Sequence, residues 1–256
     1  MSKFLHILAL LAVAAQPAST LAQLDSSNTW VSTAISGGPH TVHTVILDPL
    51  QPDTVFAGTT PGSIYRSLNR TLTWAEITSA GTVINQDVHG IAFNPLNTNV
   101  MYAGSLNKGA YKSIDHGVTW AVTSLGGPFL TRHLAVDPTD TNRVYAATGL
   151  TVFYSDNGGT TWTDAKIDTV SGVNAEGFVM MPLTPDTLLV GVPTRGVFRS
   201  LNRGVLWLVP NVGLTDLDVT ALAASPEFAG TAYVTTTGGG VFVTADAGST
   251  WTAQNS

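Results

Sequence analysis

Ser113-Ile114-Asp115-His116-Gly117-Val118-Thr119-Trp120 is one of five near-copies of an octet in this chain. The others are Ser67-Leu-Asn-Arg-Thr-Leu-Thr-Trp74, Ser155-Asp-Asn-Gly-Gly-Thr-Thr-Trp162, Ser200-Leu-Asn-Arg-Gly-Val-Leu-Trp207 and Thr244-Ala-Asp-Ala-Gly-Ser-Thr-Trp251. The shared pattern is Ser/Thr-x-Asp/Asn-x-Gly-x-Thr-Trp. The six tryptophans, Trp30 included, follow one another at spacings of 44, 46, 42, 45 and 44 residues. A fixed period of this size marks one supersecondary unit repeated along the chain.

Around each octet the sequence reads as four short strands. In the second unit Val88–Phe93 is followed by Asn94-Pro95, then Val100–Gly104, Gly109–Ser113 and, after the octet, Trp120–Thr123. Prolines recur just past the first strand, at Pro49, Pro95, Pro138, Pro182 and Pro226. Proline cannot donate to a ladder, so each belongs in a turn, where a preceding Asp48, Asn94 or Asp137 can bond the backbone. Four antiparallel strands every 40 to 45 residues describe a β-propeller blade. A β-sandwich would not repeat its turn chemistry so regularly. The spacing predicts an all-β chain with five blades, at about 41–78, 87–124, 131–167, 174–210 and 218–256. Leu24–Trp30 resembles the tail of a further octet, and 30–35 reads as an extra strand. That strand could lie near the seam or replace the weak one after Trp251; alternatively, the chain is shortened from a longer propeller.

Composition agrees. The chain is 44% hydrophobic and only 11% charged, and its 36 threonines favour a pleated surface over a helix. Its content of Leu and Val is too high for a disordered chain. A net charge of −6 argues against nucleic acid as a partner. The absence of Cys excludes thiol catalysis, disulfides and thiolate metal sites. Residues 1–22 read as a signal peptide: Lys3 precedes the apolar run Phe4–Ala15, and small residues end at Ala22. The expectation is a secreted or periplasmic protein cleaved after Ala22, with no membrane span thereafter and a single propeller domain over 23–256.

The octets resemble the Asp-box, or BNR, repeat of sialidases, sortilin-type receptors, xyloglucan hydrolases and photosystem II assembly factors. The resemblance covers roughly residues 24–256 and implies a propeller with each box in the turn between strands three and four. It implies structural roles for Asn69, Trp74, Asp115, Trp120, Asn157, Trp162, Asn202, Trp207, Asp246 and Trp251. The side-chain oxygens brace the turn, Gly permits a positive φ, and Trp fills space between layers. Thr71 stands in place of the Gly and Leu206 in place of the Thr.

Aligning first strands on their prolines gives a polar column six residues earlier: His43, His89, Arg132, Glu176 and Thr220. Two residues further in are Val45, Ile91, Leu134, Phe178 and Leu222, expected in the core. In a ring the polar column converges on the axis. His40 and His133 sit close by in sequence, and Asp87, Asn174 and Asp218 hold equivalent positions nearer the rim. Lys108 and Arg195 occupy strand 2–3 turns on the same rim. The candidate binding residues are therefore His43, His89, Arg132, Glu176, Asp87 and Asp218. The bland alternative is that these strand starts are merely solvated. A transition metal on His43, His89 and His133 is disfavoured because His133 is out of register, so no metal ligand and no cofactor is assigned.

No catalytic residue is assigned either. A glycosidase needs two placed carboxyl groups, and only Glu176 with Asp87 or Asp218 could supply them. A sialidase needs several axial arginines, whereas only Arg132 is available, and no Phe-Arg-Ile-Pro segment occurs. The sequence also lacks a nucleophile elbow, a phosphate loop and His-Glu-x-x-His. The resemblance to sortilin-like and assembly-factor-like proteins implies a non-catalytic, monomeric platform binding a protein, peptide or glycan at the axial rim. The alternative is a sialidase- or xyloglucanase-like glycoside hydrolase.

Overall fold

The computed structural model describes residues 35, 40–78, 87–149, 151–167 and 175–255. The expected export segment, residues 30–34 of the extra strand and Asn174 lie outside the described residues; Ile35 belongs to no strand. Nineteen strands and no helix are present among the described residues. The first blade comprises β1 (Thr41–Leu47), β2 (Val55–Thr60), β3 (Ile64–Ser67) and β4 (Ala75–Glu76). The second is β5 (Val88–Phe93), β6 (Met101–Ser105), β7 (Gly109–Ser113) and β8 (Ala121–Val122). The third is β9 (Thr131–Val136), β10 (Val144–Thr148), β11 (Val152–Ser155) and β12 (Thr163–Asp164). The fourth has β13 (Gly177–Met180), β14 (Leu188–Val192) and β15 (Gly196–Ser200). The fifth is β16 (Val219–Ala224), β17 (Ala232–Thr236), β18 (Gly240–Thr244) and β19 (Thr252–Ala253). Every sheet runs in sequence order with antiparallel neighbours, so the chain is an all-β propeller of five blades.

Blade four is one strand short, and a proline explains it. In the other blades the third residue past the Trp donates its N–H to a third-strand carbonyl: Ile77 to Ile64, Thr123 to Ala110, Ala165 to Val152 and Gln254 to Val241, at 2.8–2.9 Å. The same place holds Pro210, which has no N–H, and the fourth strand shrinks to one bridge between Arg199 and Leu208. Asn211 still holds the start of β15, its Oδ1 accepting from Val197 N at 2.8 Å and its Nδ2 donating to Arg195 O at 2.9 Å, as Asn255 does in blade five. Blade five keeps its own fourth strand, β19, so the segment at 30–35 is not required in that place.

Blades stack face to face through apolar side chains. Phe56 and Ile64 of blade one pack with Phe93, Met101, Tyr111 and Trp120 of blade two. Leu189 and Val197 of blade four likewise meet Val234, Phe242 and Trp251 of blade five. Each Trp from Trp120 onward thus fills the interface with the preceding blade. The inner strands pack in the order β1, β5, β9, β13, β16, and among the described residues β16 and β1 share no packing of comparable extent. The expectation that Val45 is core therefore fails. It is 58% exposed whereas its counterpart Ile91 is 6% exposed, because no earlier inner strand among the described residues covers β1.

The octets form one turn five times. The leading hydroxyl donates to the Asp or Asn Oδ1 at 2.8–3.0 Å in all five, from Ser67, Ser113, Ser155, Ser200 and Thr244. The same Oδ1 accepts the backbone N–H four residues on, at 2.8–2.9 Å. Burial alone would raise the Asp246 carboxyl, but donors from Thr250, Thr244 and Ser249 outweigh it and hold it down at about 2. Two successive residues are left-handed, as at His116 (φ 61°) and Gly117 (φ 81°). Thr71 adopts φ 71° at the Gly position, which costs a branched side chain energy.

Two stability changes follow. Trp120, 6% exposed with Nε1 donating to Gly117 O at 2.9 Å, should cost about 3–5 kcal/mol when truncated to Ala, read by chemical denaturation. Thr71→Gly should raise the denaturation midpoint, by about 1 kcal/mol of stability, as strain relief exceeds the added unfolded-state entropy.

Candidate functional site: the axial end of the inner strands

Repeated β-bulges place the polar column. In blade one Val42 pairs Thr59 and Thr44 pairs Gly58, leaving His43 as the extra residue. Val88 pairs Ser105 and Gly90 pairs Gly104, leaving His89. Arg132 falls between Thr131 and His133 in the same way, and Thr220 between Val219 and Ala221. Glu176, just before β13, donates its N–H to Gly191 O at 3.0 Å. A bulge bends its strand and re-aims the extra side chain, which otherwise would follow strict alternation. Close approach of neighbouring inner strands then brings these side chains together. A Cβ on Gly90 would lie 2.3 Å from Arg132 O, and one on Gly104 2.4 Å from Thr131 O. Only Gly admits that spacing.

The result is two coupled pairs. The rings of His43 and His89 face each other with centroids 4.0 Å apart and an interplanar angle of 31°. His43 Nε2 hydrogen-bonds Thr60 Oγ1 at 2.7 Å. Arg132 Nη1 donates to Glu176 Oε2 in an ion pair between blades three and four. Asp87 joins the histidine pair, with ligand atoms of His43, Asp87 and His89 all within 4.8 Å of one another. Burial lowers the pKa of His89 below its usual 6.5, helped by His43 and Arg132 and opposed by Asp87. The arrangement presents imidazole, guanidinium and carboxylate groups at one place, able to donate and accept hydrogen bonds together.

Other sequence candidates lie apart. Asp218 Oδ2 accepts from Thr237 Oγ1 at 2.8 Å on its own blade. His40 does not join the column: its Nε2 meets Tyr65 OH at 3.1 Å and its ring lies 5.1 Å from that of Tyr65. His133 is half-buried, hydrogen-bonded to the Glu176 backbone, with a buried Nε2 lacking a hydrogen-bond partner. Sequence reading missed the bulges and the Gly contacts; the Ala-Gly pairs at 57–58 and 103–104 were the available signal. It also missed the contacts between blades on the opposite rim. There His116 Nε2 lies 2.7 Å from Asp48 Oδ2, and Arg203 Nη2 lies 3.2 Å from Asp137 Oδ2. Tyr102 OH donates to Gly158 O at 3.0 Å, and burial pushes its pKa up to about 12.

Fold and cluster together define a β-propeller with a polar axial end. No protein-family model matches the chain. A Neosartorya fischeri protein described as "Probable oligoxyloglucan-reducing end-specific xyloglucanase" is 29% identical over a stretch covering 47% of this chain and 17% of that protein. Among solved structures, the GH74 xyloglucanase from Xanthomonas campestris superposes with a TM-score of 0.69 at 18% identity, covering 82% of this chain and 38% of that one. The Niastella koreensis GH74 enzyme gives 0.66 at 21% identity, with the same coverage of 82% and 38%. YCF48 from Cyanidioschyzon merolae gives 0.60 at 13% identity, covering 83% of this chain and 70% of that one. The chain thus spans well under half the length of the xyloglucanases it matches, and at these identities the likeness to solved structures establishes the fold.

His133 generates a pH prediction. Burial lowers its pKa below 6.5, so its contribution to stability is fully present above that value. As pH falls through 6.5 toward the folded pKa, the unfolded chain gains a proton that the fold resists, and stability declines. Urea midpoints measured from pH 7.5 to pH 5 should fall more steeply in the wild type than in His133→Asn.

Proposed function

We propose that the chain is an exported, non-catalytic Asp-box propeller that binds a glycan at the axial end of its inner strands. The observation that carries the reading is the convergence of His43, His89 and Arg132, each placed by a bulge, with Glu176 brought in by its ion pair to Arg132. Planar donors and acceptors beside a pair of rings suit sugar hydroxyls, which both donate and accept, and a few convergent polar groups fix orientation in such sites. The xyloglucanase relative and the GH74 neighbours point to a carbohydrate as the ligand class. Catalysis is disfavoured because the carboxylates here are engaged singly: Glu176 by Arg132, Asp87 beside two imidazoles, Asp218 by Thr237. Glycosidases instead hold two carboxyl groups flanking the scissile bond.

The relative's description favours one second reading, a glycoside hydrolase in which Glu176 would be one of the two carboxyls. Calorimetric titration with xyloglucan oligosaccharides, together with reporter glycosides at pH 5–7, separates the two. The platform predicts binding without turnover, weakened at least about tenfold by Arg132→Ala, as expected for losing a charge-assisted hydrogen bond. The thermal midpoint should barely change. Turnover that disappears in Glu176→Gln would overturn the platform, and absence of any glycan binding would overturn the ligand class.

A further inference from the structure

We propose that His43, Asp87 and His89 form a binding site for one divalent transition-metal ion of the zinc type, across the seam between the first two blades. Two imidazoles and a carboxylate suit zinc, and they gather here from two different inner strands and the segment leading into β5. Zinc–ligand distances of about 2.0–2.2 Å put ligand atoms roughly 3.3 Å apart in a tetrahedral site. The present spread, all within 4.8 Å, closes to that value by side-chain rotation, and His43 is exposed and has room to turn.

The surroundings orient the set. His43 Nε2 lies 2.7 Å from Thr60 Oγ1. With that nitrogen donating, Nδ1 carries the lone pair a metal needs, the usual arrangement in which an outer hydrogen bond fixes the tautomer of a ligand. The Asp87 backbone carbonyl accepts from Leu106 N at 3.0 Å, which ties the segment bearing this carboxylate to the β6–β7 turn. The guanidinium of Arg132, whose charge acts on His89, is already paired with Glu176. The sequence offered His133 as a third histidine only out of register, and its half-buried ring is indeed engaged elsewhere, bonded to the Glu176 backbone. Asp87, two residues before the bulged His89, takes its place, its carboxylate oxygen within 4.8 Å of ligand atoms of both histidines. Three protein ligands leave a fourth position for water or an incoming oxygen. The site stands independently of the glycan reading, since it requires only the metal.

The test uses the full chain without a histidine tag, stripped with chelator and titrated with Zn2+ alone by calorimetry at pH 7.5. The expected result is one ion per chain, with affinity reduced more than about tenfold in His43→Ala, in His89→Ala and in Asp87→Asn. Even loss of an outer-shell partner costs that much. His40→Gln should bind as the wild type does. Saturating Zn2+ should also raise the thermal midpoint of the wild type but not of His43→Ala. Because His43 is exposed, that variant carries the test should His89→Ala fail to fold. No binding at millimolar Zn2+, or undiminished binding in His43→Ala and Asp87→Asn, overturns the site.

Discussion

The turn between third and fourth strands rests on one hydrogen-bonded unit, a Ser or Thr hydroxyl donating to the Oδ1 of the Asp or Asn two residues later. That oxygen also accepts a backbone N–H from the far side of the turn, while the hydroxyl oxygen accepts the N–H of the Gly position at 2.8–2.9 Å. Three contacts force two consecutive left-handed residues and deliver the Trp at a set height. Once placed, Trp120, Trp162, Trp207 and Trp251 fill the interfaces with the preceding blades, so a local turn decides how the sheets stack.

Stacking then has a consequence at the axis. Blades that are separated by tryptophans at one rim must crowd at their inner strands, and Gly90 and Gly104 absorb the crowding. The bulges in β1, β5, β9 and β16 release one residue each from the ladder where the strands are closest. Side chains that a regular strand would send toward neighbouring blades instead meet one another, as the His43–His89 rings and the Arg132–Glu176 pair do. The polar end is therefore a product of the same convergence that builds the fold, and loops or bulges on rigid scaffolds are where binding groups commonly sit.

Much of the fold was legible because the information is local and repeated. Hydroxyl, carboxamide, Gly and Trp act within eight residues, and five copies cancel individual departures such as Thr71 and Leu206. Pro210 shows the opposite case. The residue is plain in the sequence, but its effect is visible only once the ladder shows that the other four blades use an N–H at that place. The polar column was also legible, since prolines align the first strands. Which neighbouring polar residues join it was not: His40 turns to Tyr65, Asp218 to Thr237, and Asp87 to the histidines.

By itself the sequence determined the blade, its turn chemistry, its period and the residue types at the inner strand starts, because each depends on contacts within one repeat. Only the tertiary structure decided that Val45 is exposed while Ile91 is buried. It alone decided that an aspartate rather than a third histidine completes the cluster around His43 and His89. Those outcomes depend on distances between blades and on bulges that shift register by one residue, and a one-residue shift sends a side chain to a different face.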